Sequence, residues 1–299
     1  MAAVLSLGCA PAGAVEPLAV ARVADGVFVH LGTQQQPTAA NEGAIANVGF
    51  IVGARCVAVI DSGGSRAEGE RLLAAVRHVS ALPVCYVVNT HVHPDHVFGN
   101  AAFESEHPQF VGHARLPAAL AARGEHYRRA LERDLGAAAE GSTVVAPTLT
   151  VEDRRVLDLG GRELELRAWP AAHTEDDLTV FDRASGTLWL SDLLFVGRIP
   201  VVDGSLKGWL EACARIAEMS PARVVPGHGD MGNWRDALAA QTRYLKALLD
   251  GTRVAIRSHR TLAQAVEEVG WSERGHWLLF DDYHRRNVAA AYAELEWEE

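Results

Sequence analysis

Short apolar runs separated by glycine-containing turns dominate the first sixty residues. Residues 20–31 alternate apolar and polar positions around Asp25-Gly26, a hairpin signal. Asn47 to Val52 and Cys56 to Asp61 flank Gly53-Ala54-Arg55 and predict a second hairpin. The period then changes, because Leu72, Leu73, Val76 and Val79 share one helical face over residues 65–79. Val84 to Val88 is short, apolar and β-branched, which predicts a buried strand, and Gln109 to Gly112 predicts another. An Arg-, Glu- and Ala-rich stretch over 115–139 reads as a helix with a solvated charged face. Strands follow at 143–151, 155–159 and 162–168. Leu178 to Phe181 and Thr187 to Asp192 form a hairpin that ends on Asp192, and Val224 begins a strand that runs into Gly227-His228. Helices near 233–250, 253–269 and 284–298 carry Trp234, Trp271, Trp277 and Trp297 and read as a helical cap. The pattern is that of an α+β fold over residues 18–299, with 233–299 as its helical C-terminal part and no linker or internal repeat.

Composition narrows the reading. A chain of 299 residues with 48% hydrophobic content can bury a full core, which excludes a disordered chain. The net charge of −10 and the lack of a Lys/Arg run exclude a nucleic-acid surface. No apolar stretch reaches the ~18 residues that a transmembrane segment needs. Cys9, Cys56, Cys85 and Cys213 show no CxxC spacing. Cys56 and Cys85 fall in strand-like runs and read as buried free thiols. Residues 1–17 read as a signal segment or a disordered tail. Ala12-Gly13-Ala14 fits a cleavage site, although the basic start of a signal peptide is missing. The expectation is export, to the periplasm or outside the cell, with the cytoplasm as the alternative.

The candidate chemistry is concentrated after the 84–88 strand, where His91, His93, Asp95 and His96 form the pattern H-x-H-x-D-H. Imidazole and carboxylate are the usual ligands of a borderline cation such as zinc. Pro94 argues against a regular helix or central strand, so these residues belong to a loop at a strand end. Asp61, His173, Asp192 and His228 each close a predicted strand as well, and can converge on one sheet edge. His113 also follows a strand and reads as structural. No G-x-S-x-G or Cys/His context for a side-chain nucleophile occurs.

The stretch from Thr90 to Asn100, T-H-V-H-P-D-H-x-x-G-N, resembles the signature of the metallo-β-lactamase superfamily in the form seen in glyoxalase II-type hydrolases. The resemblance spans roughly residues 20–230. It implies a four-layer αβ/βα sandwich with the metals at one edge. It implies a first metal on His91, His93 and His173, a second on Asp95, His96 and His228, and Asp192 bridging them. It further implies Asp61 as a buttress behind the ligands. The cofactor would be two zinc ions, with iron as the alternative. A bridging hydroxide would attack a carbonyl, with Asp95, His91 and His93 as the catalytic group.

The best-known zinc β-lactamases carry cysteine where this chain has Asp192, and lysine where it has Phe195. The implied substrate is therefore a small-molecule ester, thioester or lactone, with a β-lactamase-type amide as the alternative. A single-iron persulfide dioxygenase and a non-catalytic quinone-cofactor carrier stay open. Residues 41–47, 189–195, 203–209 and 280–286 are similar to a subgroup of zinc metallohydrolases associated with quinoprotein dehydrogenases and bacterial sulfur oxidation. That resemblance implies export and a functional link to quinoprotein dehydrogenases. Arg198 and Lys207 are candidates for binding an anionic substrate group.

Overall fold

A computed structural model describes residues 15–298. The signal-or-tail reading of residues 1–17, all but its last three positions, lies outside the described residues, as does Cys9. Two sheets face each other. The first orders its seven strands as they occur in sequence: β1 (Ala21–Ala24), β2 (Val27–His30), β3 (Val48–Val52), β4 (Val57–Ile60), β5 (Val84–Val88), β6 (Gln109–His113) and β7 (Leu149–Val151). The second has the order β12-β11-β10-β9-β8, built from β8 (Arg154–Asp158), β9 (Glu163–Ala168), β10 (Leu178–Asp182), β11 (Thr187–Phe195) and β12 (Arg223–His228).

Period-2 alternation explains the layers. On β4, Ala58 and Ile60 face the inter-sheet core with Leu164 and Leu166 of β9 and Trp189 of β11. Val57 and Val59 point the other way, onto Leu72, Ala75 and Val76 of helix α1 (Arg66–Val79). On β11, Leu188 and Leu190 leave the inter-sheet core for the opposite outer layer. There they meet α4 (Leu206–Ala217), α5 (Trp234–Arg257), α6 (Leu262–Glu268) and α7 (Phe280–Leu295) through Trp209, Tyr244, Leu245, Ala265, Phe280 and Val288. The result is the expected four-layer sandwich, and the C-terminal helices form its outer layer on the second sheet.

Antiparallel hairpins give way to parallel pairs at the working edge. β4, β5 and β6 are parallel, as are β11 and β12. Their C-terminal ends deliver Asp61, the His91–His96 stretch and His228 to the same rim. The stretch itself is partly helical, since Pro94–Val97 forms a single turn, α2, rather than an open loop. Proline is tolerated there because it occupies the first helical position, where its missing N–H has no partner to lose.

Five expectations are corrected. Cys56 and Cys85 are not free thiols; they form a disulfide with Cα atoms 5.7 Å apart. They lie 29 positions apart, separated by α1, but the parallel pairing of β4 with β5 brings them side by side. The strand expected from residue 143 begins only at Leu149. β11 does not end at Asp192 but continues to Phe195, with register shifts on both sides of Ser191. Such bulges re-aim side chains. Among the C-terminal helices, the second proves to be the short α6, because α5 runs on through Arg257. The third, α7, starts at Phe280, ahead of the expected 284.

Candidate metal centre

Seven side chains from both sheets meet at the rim as two adjoining groups. His91, His93, His173 and Asp192 form one, and Asp95, His96 and His228 the other; within each, the donor atoms lie within 4.8 Å of one another. In the first group His93 Nδ1 is 3.1 Å from His91 Nε2 and 3.0 Å from His173 Nε2. Asp192 Oδ2 is 3.3 Å from the Nε2 of both His173 and His228. Asp192 Oδ1 is 3.2 Å from His96 Nε2, and Asp95 Oδ2 is 3.4 Å from His228 Nε2. Asp192 thus faces both groups.

The orientation of each ring is set from behind. His96 Nδ1–H donates to Asp61 Oδ2 at 2.8 Å, His173 Nδ1–H to Val201 O at 2.7 Å, and His228 Nδ1–H to Ile45 O at 2.8 Å. His91 Nδ1 is 3.1 Å from the Thr90 hydroxyl. These ties leave Nε2 free in four histidines. His93 is turned the other way, with Nε2–H on Asp203 Oδ2 at 3.0 Å, so that Nδ1 faces the centre. A hydrogen bond on the far nitrogen selects the tautomer and aims the near one.

Asp61 lies behind His96, and α1 is capped by Ser65, whose side chain accepts the Glu68 N–H. Asp61 accepts the Thr90 N–H and hydroxyl, each at 2.8 Å, and the Ser191 hydroxyl at 3.3 Å. Thr90 and Ser191 join across the sheets at 2.8 Å. Gly227 is required beside them, because a Cβ there would come within 1.8 Å of Asp192 Oδ1.

The electrostatics follow from burial set against close carboxylates. Burial, then the neighbouring His96, push the pKa of His91 well below its ordinary value. Burial likewise lowers His93, against the pull of Asp203. Burial opposes ionisation of Asp192, yet His228, His96 and His91 outweigh it and hold the carboxyl well below the usual range. His96 moves the other way, since Asp192, Asp61 and Asp95 overcome its burial. His91 and His93 beside the ionised Asp192 are thus in the forms that bind a cation. His96, and His173, which Asp192 also pushes up against its burial, give up a proton when one binds.

The residues fit a metal. His96 Nε2 and Asp192 Oδ1 are buried and lack any hydrogen-bond partner among the described residues. Such orphaned polar atoms are costly unless something else satisfies them. Tetrahedral ligands held at about 2.0–2.1 Å lie roughly 3.3 Å apart, close to the 3.0–3.4 Å separations just given. The donor set suits zinc and other borderline divalent ions.

The centre opens into a cleft of about 380 Å³ whose walls include Asp95, Phe195, Arg198, Tyr127 of helix α3 (Leu116–Leu135), and Tyr283 and Arg286 of α7. Lys207 does not reach it, because its ammonium pairs with Glu298 at 2.7 Å. His113 is buried and accepts the Arg115 N–H at 2.9 Å, the structural part expected of it. Sequence reasoning quoted Asp203 within a stretch but gave it no part. The structure makes it a hub that binds His93, Arg123 at 2.5 Å and Arg286 at 3.1 Å.

A family model described as "Metallo-beta-lactamase superfamily" matches residues 42–228. The chain is 28% identical to the acyl-coenzyme A thioesterase MBLAC2 of Bos taurus over 215 residues, which is 61% of this chain and 72% of that protein. It is 25% identical over 214 residues to a linear primary-alkylsulfatase of Pseudomonas sp., covering 60% of this chain and 40% of the sulfatase. Among solved structures it resembles a metallo-beta-lactamase from Pontibacter korlensis, with a TM-score of 0.62, 20% identity, and coverage of 77% of this chain and 99% of that one. A metallo-beta-lactamase from Hirschia baltica gives a TM-score of 0.60 at 18% identity, over 77% and 98% of the two chains. These two structural likenesses show the fold.

Proposed function

Because the chain belongs to the metallo-β-lactamase superfamily, we propose that it is a dinuclear zinc hydrolase that cleaves an ester, thioester or lactone carbonyl. The observation that carries this reading is the pair of adjoining donor groups with Asp192 facing both. His91, His93 and His173 would hold one cation, Asp95, His96 and His228 the other, and Asp192 would serve the two. Bound there, two cations would supply a water acidified to near neutrality and a Lewis acid for the carbonyl oxygen.

The chain's own residues do the rest. Asp61 and Thr90 fix the tilt of the histidine stretch, and Asp203 fixes His93. Burial opposes charge on Asp95, but His96 and His228 keep it ionised below the usual carboxylate range. It lies on the cleft wall, where it can hold the proton given up by an attacking water. Phe195 stacks on His228 with ring centres 5.0 Å apart and lies 5.4 Å from His173, closing the apolar side of the centre to solvent. The thioesterase relative and the aspartate at 192 both favour an ester or thioester over a lactam. We read the chain as exported, a reading supported by Cys56–Cys85, since disulfides persist in oxidising compartments.

The test is Asp192→Asn. The purified wild-type chain should carry two zinc ions and cleave acyl thioesters. The variant should retain about one and lose about 100-fold or more in kcat, the scale of a lost multi-kcal/mol stabilisation. Two full-affinity sites with unchanged turnover in the variant would remove Asp192 from the centre. One iron per chain with oxygen consumption would replace hydrolysis by oxygenation.

A further inference from the structure

We propose that Asn287, on the C-terminal helix α7, is a positioning residue for the metal position formed by His91, His93 and His173. The proposal rests on the metal-centre reading and goes beyond it, because it makes the C-terminal layer part of that centre. The link is the irregular segment 199–205 between β11 and α4. Val201 O accepts the His173 Nδ1–H at 2.7 Å, and the Asp203 N–H returns to His173 O at 3.0 Å. Asp203 Oδ2 accepts the His93 Nε2–H at 3.0 Å. One short strap thus aims both His93 and His173 from behind. His91, His96 and His228 are tied instead to Thr90, Asp61 and Ile45 O, all in the first half of the chain.

Ile199, Val201 and Val202 are buried, so the strap must find partners for its backbone polar groups without water. Asn287 supplies them. Its Nδ2 donates to Pro200 O at 2.7 Å and its Oδ1 accepts the Val202 N–H at 2.9 Å. One amide therefore brackets Val201, as a neighbouring strand would. Its orientation is fixed, because a carbonyl only accepts and an N–H only donates. Asn287 is itself fully buried and braced from the far side. Its Nδ2 also donates to the Tyr244 hydroxyl at 2.9 Å, Tyr244 O–H donates to His284 Nδ1 at 3.1 Å, and His284 Nε2–H to Val269 O at 2.8 Å. The strap has no slack toward the centre either. A Cβ on Gly204 would come within 2.5 Å of Thr174 O and 2.7 Å of Ala172 O, so any shift of the strap passes to His173. Helix α7 lies beyond the matched residues 42–228, so the brace comes from outside the family portion of the chain.

Competition against a chromophoric zinc chelator tests this on the full chain. The position containing His93 and His173 is assigned by its loss in His173→Ala. Asn287→Ala leaves Pro200 O and the Val202 N–H unpaired and should weaken that position by about 10-fold, the lower end of what partners behind metal ligands contribute. The other position should keep its affinity. Asn287→Asp keeps the volume and the acceptor for Val202, and should lose less. Tyr244→Phe cuts the brace behind Asn287 but leaves the bracket on Val201 intact. It should lower the Tm of the zinc-free chain and leave both zinc affinities unchanged.

Equal weakening of both positions in Asn287→Ala would overturn the proposal and leave Asn287 a structural amide. So would a Tyr244→Phe chain that loses as much zinc affinity as Asn287→Ala. If Asn287→Ala does not fold, the comparison of Asn287→Asp with Tyr244→Phe decides on the same terms. Affinity is read without turnover. A chain with the selective loss that cleaves no acyl thioester would therefore support the positioning role and refute the hydrolase.

Discussion

Replacing Asp203 by alanine should weaken one metal position and spare the other. Asp203 contacts no candidate donor atom on the metal side; it accepts the far Nε2–H of His93 at 3.0 Å. Burial opposes its ionisation, but His93, Arg123 and Arg286 hold its carboxyl well below the ordinary carboxylate range, so it is an anion at any working pH. Loss of that acceptor frees the His93 ring to rotate and to take the wrong tautomer. It also leaves Arg123 and Arg286 without their shared carboxylate. Partners of this kind are worth about 10–100-fold in metal affinity, or about 1.4–2.7 kcal/mol. The charge-assisted hydrogen bond alone falls in that range, at about 1.5–3 kcal/mol. Competition against a chromophoric zinc chelator should resolve two affinities in wild type. In Asp203→Ala only the site containing His93 should weaken, by that factor. Asp203→Asn keeps an acceptor without the charge and should fall between. Two unchanged affinities in a folded Asp203→Ala chain would refute the argument that His93 is aimed from behind.

Two further outcomes follow from features away from the centre. Asp182 takes Arg162 at 2.5 and 3.1 Å in a buried pair, and although burial opposes it, Arg162 and Ser185 lower its pKa. A depressed folded-state pKa gives stability that is present above the unfolded value of about 3.9 and lost as pH falls below it. Asp182→Asn should therefore cost about 3 kcal/mol in urea melts at pH 7 and progressively less below pH ~4; a cost unchanged at pH 3 would show that the pair is not ionic in effect. Alkylation of the denatured, unreduced protein followed by mass analysis should leave Cys56 and Cys85 unlabelled until reductant is added, whereas labelling of both beforehand would refute the disulfide.

Much of the site was legible because each of its seven donors follows, or lies in, a strand with an unambiguous apolar pattern. Convergence of strand ends on one rim needs only the layer order, and the spacing of His91, His93, Asp95 and His96 supplied the rest. What escaped depends on contacts between distant positions. Asp203 meets His93 across 110 residues, and nothing local to Asp203 marks that reach. The Cys56–Cys85 bond depends on the register between β4 and β5, which apolar periodicity does not specify. The bulge at Ser191 was hidden because its flanking residues continue a strand-like run up to Phe195. Arg198 was picked out as a candidate and lies on the cleft wall, while Lys207 was picked out on the same grounds and is paired elsewhere. Charge and proximity in sequence do not distinguish a buried cation from a solvated one.

The division of the donors between the two sheets has a consequence for folding. The His91–His96 stretch comes from the first sheet, and His173, Asp192 and His228 from the second. Each cation held there would clip together segments that are far apart in the chain, as a reversible crosslink between the two halves. Ions that bind the native chain and not the unfolded one raise its stability by mass action, by about 2.7 kcal/mol at a free concentration 100 times the dissociation constant. The two halves would then open as one cooperative unit when loaded and more independently when stripped. The availability of metal would then set how long the folded chain lasts as well as how fast it works.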